Sequence, residues 1–548
     1  MQKIFSQRIL FWALAVVAGI FWGLAIFGAF QNYSPVPFWD MWKGYLDFYM
    51  KVTSGDWSSW WSQHNEHRIL LARLFFWIDL AWFNGSTWFL LIVNYALMAF
   101  SCWVFWLVSK ELSGPSYNLF GAFIVVLLTS WAQRENLTWG FQNQFFLAQL
   151  LPLVAFYMLH QATIQSANSS VKFFVACCFG VLSLGTMANG VLALPIMFFY
   201  TLVTESSHRH RVILLALSLV GLGIYFFDYH PVAHHDGSLS EALIDDPVGL
   251  LRYVFLYLGS PLFHIFGAND IAKHLALVAG FVFAILAPIT FWRLISISRG
   301  SSIRLAMLAF ILYIGGTALG TAGGRLFLVE NFATSSRYTT PSLMAWAAMI
   351  VALMPRISSL SILQRSAASL SFLIFSLIML PLQLTAVQIR DSDLFAKKIA
   401  ALALRLRIND QHQISLIYPD ADRCLKFSEG PTNQNLPIFG QKPFVEVVAD
   451  QIGQKILQSK GSSGICKGGI DSVQMVSKNS QYLRLSGWFY EVNAVSASKL
   501  LRVTNNQNIL IGYALLENLD QRLPRLSAAL LPTLALWVMP LRILQETR

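Results

Sequence analysis

The sequence predicts a polytopic α-helical membrane protein carrying a small exported C-terminal domain of α/β or mainly β structure. Three observations predict the helical membrane part and its appendage. Of 548 residues, 55% are hydrophobic and only 12% charged, roughly half the charged fraction of a soluble domain. The apolar residues gather into long runs, most of them near the ~20 residues that cross a bilayer as a helix. At residue 389 the composition changes abruptly, and charged residues, Asn and Gln return.

The runs are taken in order. Residues 9–30 follow Lys3 and Arg8 and so resemble a signal peptide. The run is longer than a signal core and no small-residue cleavage site follows, which predicts a retained first span. Further runs lie at 87–108, 117–132, 142–162, 172–188, 190–204, 212–228, 274–295, 304–320, 340–355 and 367–388, giving about eleven spans. Segment 69–83 is apolar but carries Arg73 and Asp79, which predicts a helix lying in the membrane interface. Segment 248–266 reads either as a span or as two half-helices about Gly259-Ser260-Pro261. Past 389, residues 391–415 read as a helix leaving the membrane. Residues 480–515 alternate like strands parted by an Asn turn. The last apolar run, 526–543, holds Pro532 and Pro540 and is short for a span.

Charge sets the expected orientation, because loops rich in Lys and Arg stay in the cytoplasm. With the N-terminus inside, the inner loops hold Lys3, Arg8, Lys110, Lys172, Arg209, Arg211, Arg293, Arg299, Arg304, Arg356 and Arg365 against two acids, Glu111 and Glu205. The sorting requires 229–272 to stay outside, which favours a non-spanning 248–266. The net charge of +11 is thus assigned to topology, and nucleic acid is not an expected partner. Membrane lipids are.

Chemistry concentrates in the outer loops. In 31–68, Asp40 stands within Phe-Trp-Asp-Met-Trp. A carboxylate set between indoles at the membrane surface is partly desolvated, which makes it a better proton acceptor. The neighbouring tryptophans and Asp47 and Asp56 read as an interfacial belt with solvated charges. Gln63-His64-Asn65-Glu66-His67-Arg68 is a run of six polar residues before an apolar helix. It reads as a helix cap on Asn65 or as a site wall with Glu66 as a second carboxylate. His64 and His67 stand i,i+3, not at the i,i+4 spacing of the usual zinc helix, and no metal site is expected there. The turn at 133–144 offers Arg134, Trp139, Gln142 and neighbouring amides. Amides suit hydroxyl-rich ligands, and an indole offers a flat face to a sugar ring. Arg325 and Ser335-Ser336-Arg337-Tyr338 precede a late span. Arg68, Arg73, Arg134, Arg325 and Arg337 all lie outside, against the positive-inside bias. They read either as snorkelling to headgroups or as facing an anion at the surface. A lipid-linked phosphate is the obvious anion, since guanidinium binds phosphate in a bidentate fork.

Weaker signals remain. Asn189 and Gly190 read as a tight turn between two short spans, with Asn189 facing the cavity. His234-His235-Asp236 reads as a solvated loop. Cys424 and Cys466 form a disulfide pair if the tail is exported, and Cys102, Cys177 and Cys178 read as packing residues.

Asp40 in the first outer loop, HNEHR at 64–68, MANG at 187–190 and SSRY at 335–338 together resemble the GT-C superfamily of polytopic glycosyltransferases, of the bacterial type that uses polyprenyl-phosphate sugars. The resemblance implies a GT-C-like catalytic domain over 1–388, with outer loops 31–86, 132–141, 229–273 and 321–339. It implies a periplasmic domain over 389–548, which resembles an appended domain only through Ser486-Gly487-Trp488 and Ile511-Gly512-Tyr513. It implies a multi-pass protein of the bacterial inner membrane. Its activity is transfer of a sugar from a polyprenyl-phosphate donor to a hydroxyl of a surface glycan such as lipopolysaccharide, a lipid or a protein. Asp40 is then the general base, with Glu66 as a second catalytic carboxylate. Arg337, Arg325 and Arg134 hold the donor phosphate. His64, His67, Arg68, Trp139, Gln142, Asn189 and Tyr338 touch sugar or acceptor. A divalent cation, Mg or Mn, belongs to many relatives, but Asp40 lacks the adjacent acidic partner that would help hold it. The alternatives are a polysaccharide polymerase or ligase, and a transporter or flippase for lipid-linked sugars. Polar groups gathered at one surface and the lack of an internal repeat argue against the transporter.

Overall fold

The structure is a computed structural model. It describes residues 2–113, 117–164, 168–230, 238–297, 301–327, 332–388, 391–456, 466–476, 482–491, 500–516 and 536–539. The helices in chain order are α1 (Gln2–Gln31), α2 (Phe48–Thr53), α3 (Leu70–Phe83), α4 (Trp88–Ser113), α5 (Tyr117–Leu128), α6 (Arg134–Thr138), α7 (Asn143–Thr163), α8 (Ser169–Ser183), α9 (Ala193–Val203) and α10 (His208–Phe226). They continue with α11 (Leu239–Asp245), α12 (Pro247–Ile265), α13 (Asp270–Ile297), α14 (Ser302–Arg325), α15 (Thr339–Ser359), α16 (Ile362–Leu384), α17 (Asp391–Arg405), α18 (Gln411–Ile414) and α19 (Ala421–Asn433). Two compact units result. The first comprises Met1–Tyr33, Ser58–Phe75 and Thr87–Ile389; the second comprises Ser34–Trp57, Phe76–Ser86 and Arg390–Arg548. The first outer loop is thereby divided: its Trp-Asp stretch belongs with the C-terminal residues, and HNEHR belongs with the helical bundle.

Nine helices among the described residues are long and apolar enough to cross a membrane, by length and composition. All but one coincide with the runs read above. Three other runs form the shorter helices α5, α8 and α9. The additional long helix is α12, one continuous helix through Gly259-Ser260-Pro261, so no pair of half-helices forms there. It has the length and composition of a span, which the sequence reading disfavoured. Its glycine serves close packing: a Cβ on Gly259 would collide with the Ala276 carbonyl of α13, and a Cβ on Gly280 would collide with the Phe255 carbonyl of α12. Small residues at such crossings let helix backbones approach in lipid, where hydrophobicity alone does not drive association.

Buried polar side chains stitch the bundle. Gln383 of α16 accepts from the Trp131 N–H at 2.8 Å and donates to the Phe21 carbonyl of α1 at 2.9 Å. The Tyr313 hydroxyl of α14 donates to the Ala148 carbonyl of α7 at 2.6 Å. The apolar core runs through α4, α7, α12, α14 and α15.

In the second unit, strands β1 (Cys466–Met475), β2 (Leu483–Glu491), β3 (Leu500–Thr504), β4 (Leu510–Leu516) and β5 (Leu536–Met539) form one sheet of order β1-β2-β5-β4-β3. The expected Asn turn is present between β3 and β4, where Asn505 Oδ1 accepts from the Gln507 and Ile509 N–H groups. The last apolar run supplies the middle strand, pairing antiparallel with β2 and β4. The rest of that run lies outside the described residues. Asp410 caps α18 and is buried against Arg484 of β2, whose Nη2 reaches its two oxygens at 2.5 and 2.6 Å. Cys424 is a buried free thiol, pushed up in pKa by that burial. The side chain of Cys466 lies outside the described residues.

Candidate functional site

The HNEHR stretch forms a tight backbone hairpin. His64 and His67 exchange N–H···O bonds of 2.8 and 2.9 Å across Asn65, which takes a left-handed φ of 49°. Asn tolerates that conformation better than most residues. Asn65 is therefore a turn residue, and the helix cap expected of it does not form; α3 begins at Leu70. The hairpin aims its side chains in different directions. His64 is buried edge-on against Phe141, ring centroids 5.8 Å apart. His67 Nδ1 accepts from the Ala188 N–H at 3.2 Å, which joins HNEHR to MANG. Glu66 meets Arg325 of α14 at 3.1 Å, and both side chains are partly exposed. The Glu66 carbonyl also accepts from the Tyr225 and Tyr229 hydroxyls at 3.1 and 3.4 Å. Burial, followed by the Glu66 charge, pushes the Tyr229 phenol up.

Arg68 is buried and has other work. Its Nε donates to the Tyr225 carbonyl at 2.8 Å, and its Nη2 to the Phe227 carbonyl at 2.6 Å. Its Nη1 donates to the Trp61 carbonyl at 2.7 Å. It thus closes the C-terminal end of α10, where unpaired carbonyls and the helix dipole favour a cation. Arg73 is likewise spent on the Trp60 and Ser62 carbonyls, at 3.1 and 2.6 Å. Burial, then the Arg68 charge, lowers its pKa to about 10. The substrate contact expected of Arg68 therefore competes with three backbone bonds, and the outer arginines fall into two groups.

The second group faces carboxylates. Ser336 donates to the Ala132 carbonyl at 2.8 Å and accepts from the Glu135 N–H at 3.3 Å. Asn136 Nδ2 donates to the Arg337 carbonyl at 2.8 Å and to Thr340 Oγ1 at 2.7 Å. These bonds lock the turn at 131–138 to the segment 335–340. The lock sets Arg337 Nη1 3.9 Å from Glu135, with its guanidinium over the Phe332 and Tyr338 rings. Such a cation–π seat holds a guanidinium without consuming its N–H donors. Arg134 is half-buried, and its charge reaches His264.

Helix α12 packs against both α14 and the 335–340 segment. Tyr257 packs on Tyr338 with centroids 5.5 Å apart. One turn before Tyr257 on α12 stands Tyr253. The charges of Arg325 and Arg337 both reach the Tyr253 hydroxyl. Other polar groups belong to the same unit. Asn189 donates to Thr317 at 3.1 Å, while its Oδ1 is buried with no hydrogen-bond partner among the described residues. Gln142 Oε1, Gln144 Oε1 and both amide atoms of Asn143 are likewise buried without a partner among the described residues. Trp139, half-buried, stacks on Phe141 at 5.5 Å.

Glu66, His67, Arg134, Trp139, Gln142, Asn189, Arg325, Arg337 and Tyr338 all belong to the first unit. Sequence reasoning missed Tyr253 and Tyr257, and it did not give Glu135 a role. The available signal was two tyrosines four apart in a largely apolar helix. Charge accounting offered a second one, since arginines near lipid need counter-charges.

Asp40 belongs to the second unit. Its neighbour Trp39 takes a left-handed φ of 48° and donates its N–H to the Ile417 carbonyl at 2.7 Å. A π-helical turn, Trp42–Asp47, follows; such turns occur often at functional sites. The two indoles differ from the sequence picture: Trp39 is exposed, while Trp42 is fully buried in the unit's interior. Asp40 is half-buried, and its charge reaches Tyr418. His234, His235 and Asp236 lie outside the described residues.

Among the described residues no three His, Cys, Asp or Glu side chains gather closely enough to hold a divalent cation.

The fold defines a multi-pass helical membrane protein. No protein-family model, curated protein or solved structure matches the chain.

Proposed function

We propose that this protein is a GT-C-like glycosyltransferase of a bacterial inner membrane, with its N-terminus cytoplasmic and its C-terminal domain periplasmic. It moves a sugar from a polyprenyl-phosphate donor to an acceptor hydroxyl. One observation carries the reading. Two partly exposed guanidiniums, Arg325 and Arg337, share one unit with buried amide atoms that have no hydrogen-bond partner among the described residues. A buried unsatisfied amide costs about 1–3 kcal/mol. Sugar hydroxyls, each both donor and acceptor, would recover that cost, and the arginines would hold the phosphate.

In the proposed step a base takes the acceptor's proton, and the oxygen so freed forms a bond to the anomeric carbon. The bond from that carbon to the phosphate oxygen breaks, and polyprenyl phosphate leaves with the electron pair. A single displacement inverts the anomeric centre. Arg337, Arg325 and Arg134 stabilise the charge that grows on the phosphate. Asp40 is the proposed base and Glu66 the second carboxylate. His67, Trp139, Gln142, Asn189 and Tyr338 contact sugar or acceptor.

The test is sugar transfer by the purified full chain, in lipid, from a radiolabelled polyprenyl-phosphate sugar. Asp40→Asn is expected to lower transfer ~10²-fold or more, the usual worth of a general base. Full transfer by that variant would remove Asp40 from the chemistry.

A further inference from the structure

Helices α8 and α10 leave between them an open groove of about 670 Å³ in the first unit. Its walls follow from sequence periodicity. Phe173, Cys177 and Val181 line it from α8 at four-residue steps, and Ile213 and Leu217 line it from α10 in the same way. Such spacing lays one apolar stripe along each helix. Exposed apolar side chains flank the groove, Phe174 and Val212 among them, as on a face turned to lipid. Where the two helices begin, the lining changes character. Arg209 and His210 complete it there, with the His210 ring stacked on Phe173 at 3.8 Å. The groove is thus basic at one end and apolar beyond.

The basic end lies away from Arg325 and Arg337. Helix α8 starts beside the close of α7, where Ser169 Oγ donates to the Ala162 carbonyl at 2.6 Å. Its other end leads to the MANG turn, where the Ala188 N–H reaches His67. Two arginines stand in the first turn of α10, and they differ. Arg211 donates to the Thr201 and Thr204 carbonyls at 3.1 and 3.5 Å, which closes the end of α9. Arg209 is exposed on the groove wall, and no carboxylate pairs with it among the described residues. Lys172, in the first turn of α8, donates to Gln161 at 3.3 Å. Against these three cations the adjoining segment 204–207 offers one acid, Glu205.

A cation at the mouth of a lipid-facing trough calls for an anion. Acyl chains gain little by leaving lipid for an apolar groove, because lipid tails are as apolar as leucine. Discrimination between lipids therefore comes from the headgroup. We propose that this groove seats one anionic phospholipid, with its phosphate at Arg209 and an acyl chain along the stripes of α8 and α10. Guanidinium suits phosphate oxygens. A zwitterionic lipid brings its own cation to the same place and is the poorer occupant. On the orientation proposed above, the leaflet is the cytoplasmic one, where basic pockets between spans meet anionic lipids. The lipid site stands whether or not the protein transfers sugar.

The experiment uses the full chain purified in detergent micelles, given phosphatidylglycerol and phosphatidylcholine of matched acyl chains. Native mass spectrometry counts the lipid retained. One phosphatidylglycerol is expected to stay bound in preference to phosphatidylcholine. Arg209→Gln is expected to reduce that preference ~10-fold, the worth of one hydrogen bond to a charged group. Arg293→Gln, at an exposed arginine of the inner loops that does not line the groove, is expected to leave it unchanged. Val181→Trp fills the apolar stretch and is expected to exclude both lipids. Arg209 and Val181 are exposed, so neither change disturbs the core. No preference in the parent overturns the site, and so does full retention in Arg209→Gln or Val181→Trp. Equal losses in Arg209→Gln and Arg293→Gln also overturn it, because the basic surface as a whole would then be the attractor. Farnesyl monophosphate serves as competitor, with farnesol as its uncharged control. Displacement of phosphatidylglycerol by the phosphate alone overturns the inference, since the groove would then seat a prenyl phosphate.

Discussion

Asp410 and Arg484 in the C-terminal unit are sealed, with side-chain exposures of 0% and 7%. Glu66 and Arg325 in the membrane unit make the same kind of pair at 24% and 19%, and Glu135 and Arg337 at 32% and 26%. The sealed pair is bidentate, Asp410 also caps a helix, and Arg484 Nη1 is held as well by Gln474 at 3.3 Å. The open pairs are looser: Glu135 and Arg337 stand 3.9 Å apart. A partly exposed pair contributes less to stability than a sealed one, and on the proposed function each guanidinium exchanges its carboxylate for another anion at small cost. A buried pair does not allow this, since the ion left behind would be uncompensated. The same two residue types thus hold one unit together and keep the other ready to bind.

The comparison breaks most visibly at Asp410. Asp410→Ala is expected to cost ~3–5 kcal/mol, because it leaves Arg484 charged and buried. The double change Asp410→Leu with Arg484→Met is expected to recover most of that. Protease resistance of the C-terminal unit reads both, and equal losses in the single and double variants would show that the pair itself was not responsible. Next comes the membrane unit. Arg325→Ala or Arg337→Ala is expected to lower sugar transfer ~10²-fold, with unfolding shifted by less than ~1 kcal/mol. A large loss of stability in either would place it with Arg484. The smallest effect sharpens the contrast furthest. Glu135→Gln removes one competitor for Arg337, and is expected to change stability by less than ~1 kcal/mol while strengthening farnesyl phosphate binding. Weaker binding in that variant would mean that Glu135 positions Arg337 and does not compete for it.

Local features were legible in the sequence, and distant pairings were not. Span-length apolar runs foretell the long helices because hydrophobic length is a local property. The strands near 480–515 and their Asn turn were readable for the same reason, through alternation. The arginines at the outer ends stood out against the charge bias. Their partners did not, since Glu66 and Arg325 are 259 residues apart and no local pattern links them. Arg68 looked like Arg325 in sequence, yet it faces carbonyls, because what decides its role is the end of a helix far along the chain. Segment 248–266 was misread for a similar reason. Gly and Pro suggested a break, whereas Gly259 is there to let α13 approach, and a proline inside a helix is tolerated when neighbours pack around it. Tyr253 was hidden because an aromatic residue in an apolar helix is ordinarily just core.

The second unit draws its residues from Ser34–Trp57 and Phe76–Ser86 as well as from the chain beyond Arg390. That has a consequence in time. At ~5–20 residues per second, the ribosome takes on the order of tens of seconds to travel from the early segments to the late ones. Through that interval the aromatic turn Trp42–Asp47, which packs against α19 in the finished protein, waits for that partner. A nascent protein halted after α16 would carry an unfinished aromatic surface near its own beginning, and would be a natural client for whatever chaperones attend membrane insertion.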